Sequence, residues 1–589
     1  MKYIKYIVLA GLIGTTSSCI DDLLDRQPTT EVSSDLFWTS TDDALSSTYG
    51  VYNALRTLYQ TDYYYDGHAE FQNTRGKSVG SISAWSPAGW VTSGFSSMWS
   101  NAYRVVNRAN FTIQNIEKMI ENEGNAATKA SLERINAENY FLRALAYFRL
   151  IENWGDVPYY RHVLSGDAEA CSLERISIET IKNDLLEDLT YAATKLPASV
   201  SGDESGRATQ VAALAFKGKI ELYWASWKKN GWPELKGFQQ SASEAQEYYK
   251  LAAADFRKVI YDYSLELFGK GEPGSYQTPN YWKLFQYDNE YCSEIIFALQ
   301  YGGPNLGDGQ GESLLRDFGT RSTANAQCWI MPTNRLADRY QSTITGDFLP
   351  ELVLNNKEDQ ENGAWNRESY ANRDWRMRST ILWNGEKMLK VALDGMSVGD
   401  SLTWMFGVRG QEAKGFINND ASSQTGYIFR KWVRQVGVAE RTQGPQDFYL
   451  MRLADVYLMY CEAMNEVEGP SSELVGLVNQ IRSRGNLPGL AAEKYANKDE
   501  FFKAIEQERI VELVSEGHRP FDIRRWRKAN EIWGAANSDG LVLKDTNGNR
   551  IRDEFKNASE KDFQKYYIYQ IPEGERSRNP NLTQNEPWL

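Results

Sequence analysis

The sequence predicts a mostly α-helical protein, a scaffold of paired helices interrupted by long loop-rich insertions and a few short strands. Three observations predict it. Segments 41–60, 99–122, 129–154, 174–196, 209–228, 242–263, 447–467, 471–485 and 499–516 carry apolar residues at i, i+3, i+4 and i+7, the spacing of one buried helix face. They read as antiparallel helical pairs. Within the third segment, Ala137-x3-Phe141-x2-Ala144 has the small-large-small order by which a tetratricopeptide helix packs on its neighbour, although no clean repeat of about 34 residues emerges. From 264 to 446 the periodicity fades and Gly, Pro, Asn and aromatic residues crowd together.

That middle stretch reads as long loops. Glu294-Ile295-Ile296-Phe297-Ala298-Leu299-Gln300-Tyr301 is β-rich and suggests one of a few strands. A second loop-like stretch, 61–98, interrupts the N-terminal helices. Loops this long in a compact protein are usually functional or disordered, and their aromatic content argues against disorder.

The last helical segment has an odd charge pattern. At 3.6 residues per turn Glu508, Glu512 and Glu516 share one stripe with Phe501 and Ile505, so carboxylates line up where the helix buries itself. A buried carboxylate without a cation costs several kcal/mol, so a fixed ion network is expected, with Arg509, Arg519, Arg524 and Arg525 as the nearest supply. Gly517 is expected to end the helix.

The chain has 589 residues, with no Gly/Ser/Pro-rich linker dividing it. Its net charge is −13 and no Lys/Arg-rich run occurs, so nucleic acid and anionic membrane surfaces are poor partners and neutral or cationic ligands fit better. At the N-terminus Lys2 and Lys5 precede the apolar run Ile7 to Ile13, too short to span a bilayer, and small residues lead to Cys19. This is the layout of a cleaved secretory signal, residues 1–18, with Cys19 as the lipidated first residue of the mature chain. Cys171, Cys292, Cys328 and Cys461 lack metal-site or disulfide-framework spacing and are expected as buried thiols, a single bridge between two of them staying open.

Enzyme readings lack their anchors. His68, His162 and His518 are too scattered for a zinc motif, and neither a nucleophile-elbow nor a phosphate-loop pattern occurs. The Glu508/Glu512 pair sits beside Arg-rich sequence, which depresses a carboxylate pKa, whereas a glycosidase acid needs one raised. No catalysis, cofactor or metal is expected.

The aromatic surplus is the chemically informative feature. Tyr63, Tyr64, Tyr65, Asp66, His68, Phe71, Trp85, Trp90 and Phe95 fall in the first loop region, and Tyr301, Arg321, Asn325, Trp329, Tyr370, Arg373, Asp374, Trp375 and Trp404 in the second. An exposed ring can lie against the C–H face of a sugar while neighbouring Asp, Asn and Arg bond its hydroxyls.

Several motifs follow one another in a known order: Cys19 with Leu24-Asp25 and Gln27-Pro28; Phe37-Trp38; Trp99-x3-Tyr103-Arg104-x2-Asn107-Arg108-Ala109-Asn110; and Leu142-Arg143-Ala144 through Trp154-Gly155-Asp156-Val157-Pro158. Then come Arg452-Leu453-Ala454-Asp455-Val456-Tyr457-Leu458, Asn479-x2-Arg482-x-Arg484, Gln507 to Trp526, Ile571-Pro572 and Asn579-Pro580-x3-Gln584-Asn585. Together they resemble the SusD/RagB family of Bacteroidetes surface nutrient-binding lipoproteins from end to end. Two departures are Cys461, where the family usually has Ala, and the closing Glu586-Pro587-Trp588 in place of Pro-Gly. Thr16-Ser17-Ser18-Cys19 resembles the family's relaxed lipobox, and Asp21-Asp22 its acidic surface-export signal.

The resemblance implies four degenerate tetratricopeptide-type pairs, drawn from the N-terminal third and from about 447 onward. It implies a single body over 19–589: a helical part 19–263 with the aromatic loop 61–98, a ligand-side insertion 264–446, and a helical part with tail 447–589. It also implies glycan capture at the outer-membrane surface and delivery to a TonB-dependent SusC-type transporter, with oligopeptide capture on the same scaffold as the alternative. Trp329, just before Met331-Pro332-Thr333, resembles the family's ligand-side aromatic, Trp85 its first-loop Trp, and Tyr301 a third contact. Trp90, Asp66, Arg321, Trp375 and Trp404 complete the expected ligand set. Glu508, Glu512, Glu516, Arg519 and Arg525 form the expected structural ion network.

Overall fold

The computed structural model describes residues 37–74, 92–302, 311–320, 326–353, 358–389, 401–405, 416–417, 426–434, 441–533, 542–544, 550–553 and 564–589. The chain divides into two compact units. The first takes the described residues within Met1–Leu58, Phe95–Leu196 and Tyr569–Leu589; the second takes those within Tyr59–Gly94 and Pro197–Ile568.

The first unit is helical. Its elements are α1 (Thr41–Tyr59), most of α2 (Thr92–Asn122), α3 (Ala126–Trp154) and α4 (Ile178–Lys195). Asn125 starts α3 by accepting the N–H groups of Ala127 and Thr128, and Ser177 starts α4 through Thr180, satisfying amides with no intrahelical partner. α3 packs on α4, pinned by the buried Arg143–Asp188 pair at 2.8 Å. Trp99 of α2 meets Trp154 of α3 edge to face at 5.2 Å. Gly155, at φ 69°, ends α3 where side chains with a Cβ are disfavoured. The next residues, Val157–Pro158, pair with Arg175–Ile176, and Asp156 Oδ1 accepts the Ile178 N–H. The tail closes over this corner: Asn585 Nδ2 donates to the carbonyls of Trp154 and Tyr569, and its Oδ1 accepts from Arg175.

The second unit carries α5 (Gln210–Asn230), α6 (Ala242–Tyr261), α7 (Leu453–Val467), α8 (Ser472–Ser483) and α9 (Lys498–Leu513). The Ser241 N–H reaches the Lys228 carbonyl at 3.0 Å, so α6 begins where α5 ends and the two fold back as a hairpin. Gly218 permits this closeness, since a Cβ there would meet the Phe256 ring at 2.7 Å. α6 packs on α7, which touches α8 and α9, extending the layer of paired helices. Thr209, Ser241, Ser471 and Asn497 cap four of these helices with their side chains.

Strands are short. Ile295–Leu299, inside the expected 294–301 run, pairs antiparallel with Phe448–Arg452, and Gln72–Thr74 pairs antiparallel with Ile330–Pro332. Two element boundaries differ from the sequence expectation. The 447–467 segment begins as the strand Phe448–Arg452, buried throughout, before α7 starts at Leu453; a continuous apolar run does not distinguish strand from helix. α9 stops at Leu513, so Glu516 lies past the helix, in a turn where Ser515 (φ 63°) and Gly517 (φ 82°) both adopt left-handed backbone. The 61–98 stretch holds the 3-10 turn Asp62–His68 and the strand Gln72–Thr74, and α2 begins within it at Thr92. Cys171, Cys292, Cys328 and Cys461 are all free thiols, Cys328 and Cys461 fully buried.

Candidate functional site

The site is built outward from an ion lattice in the second unit. Five cations, Arg376, Lys431, Arg452, Arg482 and Arg484, meet five carboxylates, Glu294, Asp374, Glu508, Glu512 and Glu516, all nearly inaccessible to solvent. Glu512 stands at its centre: Oε1 lies 2.7 Å from Arg452 and 2.9 Å from Arg484, and Oε2 lies 3.1 Å from Arg376. Burial alone would push the Glu512 carboxyl up, but Arg484, Arg452 and Arg376 hold it down to about 2. The buried Lys431 ammonium sits 2.7 Å from Glu516; burial brings it down to about 8 against that carboxylate's pull.

The partners differ from those expected. Arg519 serves Glu70 (2.6 Å) and Glu506 (2.9 Å), Arg525 serves Glu462 and Asp522, and Arg509 serves Asp455 and Asp522. These guanidiniums form two separate groups, Arg519 alone and Arg509 with Arg525 around Asp522, because beyond Leu513 the chain turns and sends Arg519 and Arg525 to other neighbours than the Glu508–Glu512 face of α9.

The turn after α9 fixes the first aromatic region. Gly517 must lack a side chain, since a Cβ would lie 2.8 Å from the Asp62 carbonyl oxygen. The Gly517 and Arg519 N–H groups both donate to Asp66, and Ser515 Oγ bonds Gln72 Oε1 at 2.9 Å. Gln72 Nε2 in turn donates to the Tyr63 carbonyl. The lattice therefore holds the Asp62–His68 turn and the Gln72–Thr74 strand by side-chain and backbone hydrogen bonds.

That strand brings the two aromatic regions together, Thr74 opposite Ile330, Asn73 opposite Met331 and Gln72 opposite Pro332. Trp329, half-buried, stands at the end of this ladder, its indole N–H donating to Gln327 Oε1. Cys328 beside it has φ 46° and its N–H reaches the Gly319 carbonyl at 2.8 Å, while the Gln327 N–H reaches Arg316 O at 2.9 Å. Arg316 is paired to Asp317 at 2.6 Å, and Asp317 also accepts from the Tyr63 hydroxyl at 2.8 Å. The Tyr64 and Tyr63 rings lie 5.0 Å apart, tilted by 33°, and burial, then Asp317, push the Tyr64 phenol well above the usual range. Tyr63 and Tyr64 thus adjoin the Arg316–Asp317 pair, in which Asp317 is fully buried and one third of the Arg316 side chain is exposed.

The expected ligand residues separate into groups. Tyr301 borders this cluster, within electrostatic reach of Tyr63, but is mostly buried, and its N–H is held by Asp447 Oδ1 at 2.8 Å. Trp85, Trp90 and Arg321, like the lipidation residue Cys19, lie outside the described residues; the segments holding the first three follow directly on Thr74 and Thr320. Asp66 is an internal anchor instead of a ligand group: it is 2% exposed, accepts two backbone N–H groups, and burial raises it to about 7. Trp404 is fully buried with its indole N–H on the Gly426 carbonyl, so its ring faces protein and not solvent. Trp375 is half-exposed but belongs to a different cluster, with Tyr276. Sequence reasoning missed Arg316, Asp317 and Gln327. Nothing in their local sequence marks them, because their neighbours across the site come from residues 63–64 and 327–332.

Among the described residues no group of three His, Cys, Asp or Glu is arranged to hold a metal, and no helix is long and apolar enough to cross a membrane. The SusD family model matches residues 293–588, and a second model, described as starch-binding associating with outer membrane, matches residues 22–222. The chain belongs to the SusD family. A SusD-like protein of Formosa agariphila, P25, is 26% identical over 544 residues, covering 89% of this chain and 90% of its own. A SusD-like carbohydrate-binding protein of Bacteroides fragilis has a similar structure, with TM-score 0.69, 20% identity and coverage of 93% of this chain and 100% of that one. A laminarin-binding SusD-like protein has TM-score 0.60 and 21% identity, covering 93% and 99% of the two chains. In this SusD family chain the Arg452–Leu453 motif is the point where a strand becomes α7, and the Gln507–Trp526 signature is the source of the lattice and its turn.

Proposed function

We propose that this SusD family protein captures glycan at the bacterial cell surface without cleaving it and passes it to a SusC-type TonB-dependent transporter. One observation carries the reading: Trp329, half-exposed, stands at the end of the Gln72–Thr74/Ile330–Pro332 ladder and bonds Gln327, whose N–H donates to the carbonyl of Arg316 in the Arg316–Asp317 pair. A sugar ring stacks on the indole through its C–H face while the partly exposed Arg316 guanidinium, oriented by buried Asp317, bonds its hydroxyls, which suits a wet, uncharged ligand. No bond need break for capture. The carboxyl at the centre of the ion lattice, Glu512, is held far below the range of a general acid, so it stabilises the fold and offers no proton.

The laminarin-binding relative and the starch-binding family description favour glycan over peptide. A lipid on Cys19 would hold the chain at the membrane, and a chain that binds but forms no channel requires a transporter. The test is an unbiased screen of the protein lacking residues 1–19 against glycan and peptide arrays, with product analysis of any bound glycan and affinity purification of the full chain from membranes. Expected are glycan binding weakened about five- to thirty-fold in Trp329→Ala, unchanged glycan length, and co-purification of a large β-barrel transporter. Peptide binding alone, or glycan cleavage abolished by one carboxylate substitution, overturns the reading.

A further inference from the structure

Trp375 stands apart from Trp329, in a second aromatic corner. It opens the short helix Trp375–Thr380, on which Arg376 turns inward to Glu508 and Glu512. Trp375 and Arg378, one turn apart, share the opposite face. There the Trp375 and Tyr276 rings meet at 5.5 Å and 68°, and the Arg378 guanidinium lies 4.3 Å from the Tyr276 centroid. Tyr276 is exposed and Trp375 half-exposed, two rings meeting at an angle on the surface. Neither the Tyr276 hydroxyl nor the Trp375 indole N–H has a protein partner among the described residues.

The charge around this corner is unbalanced. Arg378 pairs with Glu386 at 2.9 Å, and Arg430 reaches the same carboxylate only at 4.0 Å. Two guanidiniums therefore share one carboxylate. Arg378 Nε and Arg430 Nε are buried without an acceptor, although Arg430 is only 4% exposed. A buried guanidinium donor normally finds one. Burial, partly offset by Glu386 and reinforced by Arg378, brings Arg430 down to about 10. The chain as a whole is acidic, so this corner reverses its general preference for neutral or cationic ligands.

We propose that Tyr276, Trp375 and Arg378 form a second saccharide site, selective for a sugar unit bearing an anionic group, a carboxylate or a sulfate. The rings take the sugar face and the excess guanidinium charge takes the anion, where charge-assisted hydrogen bonds are stronger than neutral ones. This rests on the reading of the chain as a glycan-binding protein and names a ligand class for a site separate from Trp329.

The test is calorimetric titration of the full chain in detergent with three probes: hexagalacturonate, a sulfated carrageenan hexasaccharide and uncharged laminarihexaose. At least one acidic probe is expected to bind, more weakly at high salt. Arg378→Gln and Trp375→Ala are each expected to weaken that binding about tenfold or more, with Arg378→Lys in between. The uronate and sulfate arms identify the anion. Trp375→Phe, which keeps a ring against Tyr276 but removes the indole N–H, replaces Trp375→Ala if the latter melts early. Failure of both acidic probes to bind, or binding indifferent to Arg378→Gln, overturns the proposal. If a neutral glycan still depends on Trp329, that failure leaves the proposed function standing; acidic binding that needs Arg378 while no glycan responds to Trp329→Ala has the reverse meaning.

Discussion

Glu512 Oε1 lies 2.7 Å from Arg452 Nη1 in the interior of the second unit, joining the end of α9 to the residue where the strand Phe448–Arg452 becomes α7. The same guanidinium holds Glu516 at 2.7 Å, so Arg452 bridges the helix and the turn that follows it. Through Ser515 and Gly517 that turn positions Gln72 and Asp66, and with them the strand that ends beside Trp329. The lattice thereby sets where the strand beside Trp329 stands, and with it the glycan contact proposed above.

Removing Glu512 should therefore cost stability. Glu512→Gln leaves three guanidiniums short of a charge, a loss of about 3–5 kcal/mol, read as a lower urea midpoint. The cost is pH-dependent. The carboxyl is held at about 2, below its ordinary 4.5, so its contribution is fully present above about pH 5 and is lost as pH falls toward 2. The gap between wild type and Glu512→Gln should narrow over that window; a gap constant from pH 7 to 3 contradicts the lattice account.

Asp66 has the opposite sign. Burial raises its carboxyl from 3.8 to about 7, so the charged form is disfavoured in the fold and stability falls as pH rises through that range. Asp66→Asn replaces one of the two acceptors facing Gly517 and Arg519 with a donor, a loss that does not vary with pH. The advantage of wild type over Asp66→Asn in melting temperature should shrink between pH 5 and pH 8. An advantage that grows with pH is incompatible with the raised carboxyl.

Much of this arrangement was legible in the sequence, but partner identity was not. The stripe of Glu508 and Glu512 beside Phe501 and Ile505 required buried cations. Its cations come from Arg376, 136 residues away from Glu512, Arg452, 60 away, and Arg484, 28 away, and no local pattern encodes such distances. The aromatic surplus pointed to both loop regions, yet Trp404 and Trp329 look alike as Trp residues in loop-like sequence. Only their surroundings separate core from surface: Trp404 is fully buried with its indole N–H on the Gly426 carbonyl, while Trp329, bonded to Gln327, stays half-exposed. The strand Phe448–Arg452 looks helical in sequence because both of its faces are buried, which removes the alternation that marks a strand.

Lipidation is tested separately. Cys19→Ala should abolish palmitate labelling in cells and release the chain from the outer-membrane fraction. Labelling that persists in the variant contradicts an anchor at this residue.

The most direct test of the central claim is titration calorimetry of Trp329→Ala against the tightest glycan found for wild type, beside thermal melts of Trp329→Ala and Glu512→Ala. Loss of one stacking ring, worth about 1–2 kcal/mol, should weaken binding about five- to thirty-fold in Trp329→Ala with an unchanged melting temperature. Glu512→Ala should melt early and bind normally in whatever remains folded. Wild-type affinity in Trp329→Ala would place the glycan elsewhere and contradict the account.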